Sequence, residues 1–230
     1  MKHNVLVVDI GGTNVKLMMS RFDKRKFKSG PKMTARDFAK EFHRTVNGWD
    51  YEKISIGFPS PVRDGKIMCD PKHLGTGWRR MNFTSALGKP TRIINDAAMQ
   101  ALGSHHGGRM LFLGLGTGLG SALVWGTTVL PLELGDLPYR EQNKIEDFLG
   151  KDGLAELGRK AWQSEVLYAV TQLKLSFIAD TVVLGGGNVK QLGALPEGLV
   201  PGGNRNAYLG GWRLWQTDPR TRRPRWTILS

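Results

Sequence analysis

Apolar and polar positions alternate along this chain in blocks that predict strands and helices in turn. Val5-Leu6-Val7-Val8 runs apolar to Ile10 and stops at Gly11-Gly12, and Val15-Lys16-Leu17-Met18 follows. A strand, a glycine turn and a second strand are expected there. A basic connection from Arg21 to Lys32 comes next, read as a solvated loop or as a charged contact surface. Thr34 with Asp37 opens a helix in the manner of a capping box, and Phe38, Phe42 and Val46 recur on one face of it. Ile54 to Gly57 returns as a short strand, and Pro59-Ser60-Pro61 makes a stiff loop. Strand Arg92 to Ile94 delivers Asn95-Asp96 to a helix running through Ala97-Ala98-Met99-Gln100-Ala101-Leu102. Asp96 therefore lies at a helix N-terminus, where the dipole favours a negative charge.

The second half repeats the theme. Leu111-Phe112-Leu113 leads into Gly114-Leu115-Gly116-Thr117-Gly118-Leu119-Gly120, and Ser121 to Trp125 forms the return strand. Trp162, Val166, Ala169, Leu173 and Phe177 then recur at helical spacing as a core-facing stripe. Thr181-Val182-Val183-Leu184 ends in Gly185-Gly186-Gly187-Asn188. Three glycine loops thus follow three apolar runs.

Composition narrows the class. With 230 residues, 40% of them hydrophobic, the chain can bury a large core, as one domain or as two lobes of roughly 110 residues. Lys plus Arg number 33 against 20 Asp plus Glu, a net charge of +13 that favours polyanionic partners. The single cysteine, Cys69, excludes an intrachain disulfide and a multi-cysteine zinc site, so a reducing cytoplasm is expected. Met110 to Leu132 carries no charged residue, yet its five glycines suit strand, loop and strand better than a membrane span. The apolar run Val5 to Ile10 is short and ends in glycines, so no leader of the basic-apolar-small kind is expected.

Glycine loops after strands suggest phosphate chemistry. Gly11 and Gly12 can take positive φ, which would let consecutive N–H groups converge on an anion, with Asp9 standing where a metal-bound phosphate needs a carboxylate. An ordinary tight turn is the alternative at Gly11-Gly12, a simple helix cap at Asn95-Asp96, and a solvated loop at Glu133. Neither a Gly-Lys-Ser/Thr phosphate loop nor a Gly-x-Gly-x-x-Gly turn in a strand-helix-strand unit is present.

Taken in order, Asp9-Ile-Gly-Gly-Thr-Asn14, Asn95-Asp96-Ala97, Gly116-Thr117-Gly118-Leu119-Gly120-Ser121, Glu133-Leu134-Gly135 and Leu184-Gly185-Gly186-Gly187-Asn188 resemble the signature of the ROK sugar kinases. The resemblance covers nearly the whole chain and is strongest to the polyphosphate-type glucokinases. It implies an α/β, two-lobed actin-like ATPase (ribonuclease H-like) fold with a cleft between the lobes. The expected lobes are residues 1–96, with 208–230 returning to them, and residues 97–207. It implies transfer of a phosphoryl group from polyphosphate and/or ATP to the 6-hydroxyl of glucose, as in glycolysis, with Mg²⁺ and without structural zinc. By the same resemblance Asp96 is the general base. Ser60, Asn95, Asp96, Glu133 and Asp136 face the sugar. Asp9, Gly11, Gly12, Thr13, Asn14, Lys16, Gly116, Thr117, Gly118, Gly186, Gly187 and Asn188 face the phosphates or nucleotide, Asp9 orienting Mg²⁺ through water. A homodimer is implied, and neither a membrane nor a specific nucleic acid is an expected partner.

Two positions depart from that pattern. Asp136 stands where many members have a histidine, and the cysteine-rich zinc loop is absent, as expected of the polyphosphate branch. An ionised aspartate accepts but cannot donate hydrogen bonds, which bears on the choice of sugar. The alternatives are a kinase for mannose or an N-acetylated sugar, and a ROK-type sugar-binding regulator. Because a strand is predicted from Val5, no helix-turn-helix is expected ahead of it. The basic residues offered as a polyphosphate track are those from Arg21 to Lys32, Lys72, Arg79, Arg80, and Arg213, Arg220, Arg222, Arg223 and Arg225. The Arg- and Pro-rich tail from Thr217 to Ser230 is expected to lack order.

Overall fold

Two sheets that share a five-strand order build the molecule. The structure, a computed structural model, describes residues 4–20, 22–203 and 205–229. Its first part runs β1 (Val5–Ile10), β2 (Asn14–Met18), β3 (Lys24–Lys28), α1 (Ala35–Val46), β4 (Lys53–Phe58), β5 (Val62–Arg63), β6 (Lys66–Ile67), α2 (Phe83–Leu87) and β7 (Thr91–Asn95). The second runs α3 (Asp96–Ser104), β8 (Arg109–Leu115), β9 (Leu119–Trp125), β10 (Thr128–Leu132), α4 (Ile145–Leu149), α5 (Lys151–Ser176), β11 (Thr181–Gly185), β12 (Leu199–Pro201), α6 (Asn206–Arg213) and β13 (Thr227–Ile228). Strand order is β3-β2-β1-β4-β7 in one sheet and β13-β10-β9-β8-β11-β12 in the other. In each, an antiparallel hairpin is followed by two parallel strands, so the turn β1–β2 corresponds to the turn β8–β9.

Burial on both faces explains why β1 reads as a continuous apolar run. Leu6, Val8 and Ile10 pack under α1 with Phe38, Phe42 and Trp78, while Val5 and Val7 face α3 and α6. The helix opens on the expected capping box, in which Thr34 Oγ1 accepts from the Asp37 N–H and Asp37 accepts from the Thr34 N–H. The α3 and α6 helices fill the space between the sheets, and glycines let them approach: a Cβ on Gly210 would collide with the Met99 carbonyl. On the far side of the second sheet, Trp162, Val166 and Val170 of α5 pack on Leu111, Leu113 and Leu184. Gly158, at φ +72°, breaks α5 into two runs.

Two expectations change. The connection from Arg21 to Lys32 is not all loop, because β3 pairs antiparallel with β2 through it; Phe27 is buried and the alternating lysines are exposed. Arg21 itself lies outside the described residues. The tail is also ordered up to Leu229. Asp218 accepts from the N–H groups of Arg220 and Thr221, Thr217 bridges to Pro224, and β13 pairs parallel with β10. Backbone pairing therefore outweighs the local charge density there. Among the described residues, no helix is long and apolar enough to cross a membrane.

Candidate active site

A cleft of about 450 Å³ opens where the corresponding turns of the two sheets meet the start of α3. Gly11 and Gly12 line one side and Gly116, Thr117 and Gly118 the other, with Asn95 and Asp96 between them. Ser60, Glu133 and Asp136 complete the wall away from the glycines, and Gly186 joins the opposite end. The structure thus brings eleven of the seventeen sequence-assigned residues onto one cavity surface, across 175 positions of sequence.

Strand β7 ends at Asn95, which turns its side chain back as the N-cap of α3: its Oδ1 accepts from the Ala98 N–H at 3.1 Å. The helix-cap alternative for Asn95 is thereby realised, and its amide N–H₂ group is still available to a ligand. Asp96 Oδ1 accepts from the Ala97 N–H at 2.7 Å. Protein crowds this carboxylate on all but its cleft side. That burial, reinforced by the charges of Asp9 and Glu133 and opposed by the Ala97 N–H, raises its pKa to about 7. A carboxyl that titrates near neutrality in a cleft is suited to proton transfer.

Space, not backbone sign, explains the glycines of the first turn. Neither Gly11 nor Gly12 has positive φ, contrary to the expectation; a Cβ on Gly12 would lie 2.9 Å from the Cβ of His73, and one on Gly11 3.2 Å from the Asn14 carbonyl oxygen. The Gly11 N–H donates to that same oxygen at 3.0 Å, and Ser29 ties the turn to β3 through the Gly11 and Thr13 carbonyls. Among the described residues, the N–H groups of Gly12 and Thr13 have no protein acceptor. The second turn is similar. Gly116 N–H donates to the Gly118 carbonyl, while the Thr117 and Gly118 N–H groups have no acceptor in the described residues. Asp9, one strand residue before the turn, holds Lys16 at 3.2 Å.

Gly186 is where positive φ is required. It sits at φ +88° against the Leu115 backbone, where no Cβ fits. Asn188 then donates to the Gly116 carbonyl at 3.0 Å, which locks the third glycine loop to the second. Gly186 and Gly187 also border a second cavity of about 810 Å³, walled by Val189, Leu192, Leu195 and Leu199 with Lys190 beside them. Thr13, Asn14 and Lys16 stand beside the cleft, not on its lining.

The opposite wall is ionic. Asp136 accepts from Lys144 at 2.5 Å and lies 4.0 Å from Lys72, and the Lys144 hydrogen bond keeps its pKa below the usual carboxylate range. Glu133 is pushed upward instead, by burial and then by the charges of Asp136 and Glu146. Ser121 positions its loop: its hydroxyl donates to the Leu132 carbonyl and accepts from the Leu134 N–H. Ser60 is buried and donates to the Cys69 carbonyl at 2.9 Å.

Sequence reading missed Glu146, His73 and Gln100, which also line the cleft. Glu146 lies on α4 with its carboxylate against Gly118 and 3.3 Å from Lys72. No local pattern marks it, because its proximity comes from α4 folding back over the turn. Lys72, a candidate for the donor side by its charge, stands beside Asp136 instead, while Arg79 and Arg80 are absent from the cleft lining.

Fold and site together define a two-lobed α/β protein whose paired strand-turn-strand loops face each other over a buried carboxylate. No family model and no curated protein matches the chain. Solved structures do. An inorganic polyphosphate/ATP-glucomannokinase from Arthrobacter sp. strain KM superimposes with a TM-score of 0.73 at 19% identity, over 90% of this chain and 96% of that one. A ROK family glucokinase from Streptomyces griseus, in complex with glucose and AMPPNP, gives 0.69 at 17% over 91% and 98%. A ROK family transcriptional regulator, a homologue of the E. coli MLC protein, gives 0.69 at 14% over 92% and 77%. The chain shares the fold of these solved structures, kinases and a regulator alike.

Proposed function

We propose that the chain is a sugar kinase that transfers a phosphoryl group from ATP and/or polyphosphate to the 6-hydroxyl of glucose or a related hexose. The observation that carries this reading is Asp96, poised near neutral pH between two turns that each offer unused N–H groups. Asp96 takes the proton of the sugar 6-hydroxyl as that oxygen bonds to the terminal phosphorus. The bond from phosphorus to the bridging oxygen breaks, and the shortened donor leaves with that oxygen. Gly12, Thr13, Thr117 and Gly118 supply the N–H groups that hold the donor phosphates. The Asn95 amide, Ser60, Glu133 and Asp136 meet the other sugar hydroxyls. Lys72 and Lys144 bring to the Asp136 wall the donors that a carboxylate lacks.

Mg²⁺, when bound, neutralises charge on the donor phosphates. Asp9, only 14% exposed, is the residue to hold it through water. Among the described residues, no cluster of three or more His, Cys, Asp or Glu forms a metal cage. One carboxylate nevertheless fits Mg²⁺, which takes most of its ligands from water and phosphate. The second cavity, aliphatic and next to Gly186–Asn188, suits a nucleoside. Structural neighbours named for polyphosphate, ATP and glucose, one of them in complex with an ATP analogue, support the same chemistry. The reading includes a homodimer working in the cytoplasm.

Its test is an acceptor panel of glucose, mannose and N-acetylated hexoses, each with Mg²⁺ and either ATP or polyphosphate. Transfer to at least one hexose is expected; transfer to none would overturn the reading. The regulator among the neighbours favours a second reading, sugar binding without transfer. Calorimetric binding of a hexose by a protein that forms no sugar phosphate would select it.

A further inference from the structure

The first sheet carries a row of lysines that the catalytic reading does not use. Lys24, Lys26 and Lys28 alternate along the edge strand β3 and are all exposed. Their neighbours point the other way: Phe27 is in the core, and Arg25 stacks on Trp49 and donates to the carbonyls of Thr45 and Asn47. Register sets the lysines on the face of Asp9. Asp9 pairs with Lys16, Lys16 with Lys26, and Asn14 with Lys28, so these side chains share one face. Lys28 therefore adjoins the turn of Gly12 and Thr13. Among the described residues, the one ion pair in the row is Lys16 with Asp9.

Like charges directly opposite on paired strands oppose sheet formation, and across the Lys16–Lys26 pair Asp9 offsets Lys16 alone. Lysines on an edge strand can serve only to discourage strand addition. That purpose does not explain Lys16, which lies on the interior strand β2. The row is about 10 Å wide, from Asp9 across to Lys26, and about 13 Å long, from Lys24 to Lys28. A flexible linear anion with about one charge per unit fits a surface of that kind better than a compact nucleotide does.

We propose that Lys16, Lys24, Lys26 and Lys28 form a track for inorganic polyphosphate, which enters along β3 and presents its end at the Gly12–Thr13 turn. The proposal rests on the kinase reading for the fate of that end, but binding along the track does not depend on catalysis. The tail arginines are excluded from the track: the tail pairs with β10 of the other sheet, and Arg213 donates to the carbonyls of Leu102 and His105.

The experiment measures binding of fluorescently labelled long-chain polyphosphate to the full chain across a range of salt concentrations. It compares Lys24→Gln/Lys26→Gln/Lys28→Gln, the corresponding triple Lys→Arg variant, and a Gln variant of Arg220, Arg222, Arg223 and Arg225. Each lost cation removes roughly 0.7 from the slope of log affinity against log salt. The Gln ladder variant is expected to lose about 2 from that slope and at least tenfold in affinity at low salt. The Arg ladder and tail variants should bind as the parent does. Loss of binding in the tail variant instead, or an unchanged slope in the Gln ladder variant, overturns the track. So does tighter binding of a single-stranded oligonucleotide than of polyphosphate at equal charge. Failure of the kinase reading would appear separately, as polyphosphate that binds but is not used.

Discussion

Asn188 donates its side-chain amide to the carbonyl of Gly116 at 3.0 Å, joining two glycine loops that lie 72 residues apart in sequence. The bond fixes the distance between the aliphatic second cavity and the second glycine turn. Its loss should loosen donor binding more than the chemical step.

Replacing Asn188 by Ala is therefore expected to raise the KM for ATP by about 3- to 10-fold, the range of one hydrogen bond worth about 1 kcal/mol. The KM for the sugar should change little. Steady-state kinetics with each substrate varied in turn checks this, and equal rises for both substrates would argue against a donor-side role.

Gly186 and Gly116 should respond differently to the same substitution. Gly186→Ala places a Cβ in a left-handed backbone and against the Leu115 carbonyl, so it should destabilise the fold by about 2 kcal/mol or more. At Gly116 a Cβ would stand in open space, with nothing within 4 Å, and φ is not positive, so Gly116→Ala should leave Tm within a few degrees of the parent. Thermal denaturation of the two variants side by side tests the distinction.

Asp96 links activity and stability through pH. Its folded pKa is about 7 against an ordinary 3.8, so the folded protein holds that proton more tightly than the unfolded chain does. The stability this contributes is fully present below about pH 3.8 and is lost as pH rises through about 7. Asp96→Asn removes the ionisation and should raise stability at pH 8 by up to about 4 kcal/mol, or roughly 8–16 °C in Tm. At pH 4 the gain should disappear. In the parent, kcat/KM for the sugar should climb as pH passes through about 7 and level off above it, because the base acts deprotonated.

Much of this architecture is written locally. The run Val5 to Ile10, the capping box at Thr34 and Asp37, and the strand-to-helix step at Asn95-Asp96 each carry their own signal, and the structure realises all three. The repeated hairpins announce the duplicated sheet order. What local sequence hides is whatever tertiary pairing decides. The strand β3 looks like a basic loop because its buried partner positions are supplied by β2 and α1, and Phe27 alone marks its inner face. The tail looks unstructured because its pairing partner, β10, lies about a hundred residues away in sequence. In the site, the glycines are legible as a class, but the reason for each is not: Gly12 yields space to His73 and Gly186 yields both space and φ, and neither neighbour is near it in sequence. Glu146 is invisible for the same reason.

The kinase reading turns on Asp96 drawing the proton from a sugar hydroxyl in the cleft between the two glycine turns. The most direct measurement is the rate of sugar phosphate formation by Asp96→Asn beside the parent, at pH 8 with saturating hexose, donor and Mg²⁺. A fall in kcat of about 10²- to 10⁴-fold, with hexose still bound by calorimetry, is the predicted result. Undiminished kcat in Asp96→Asn would contradict it.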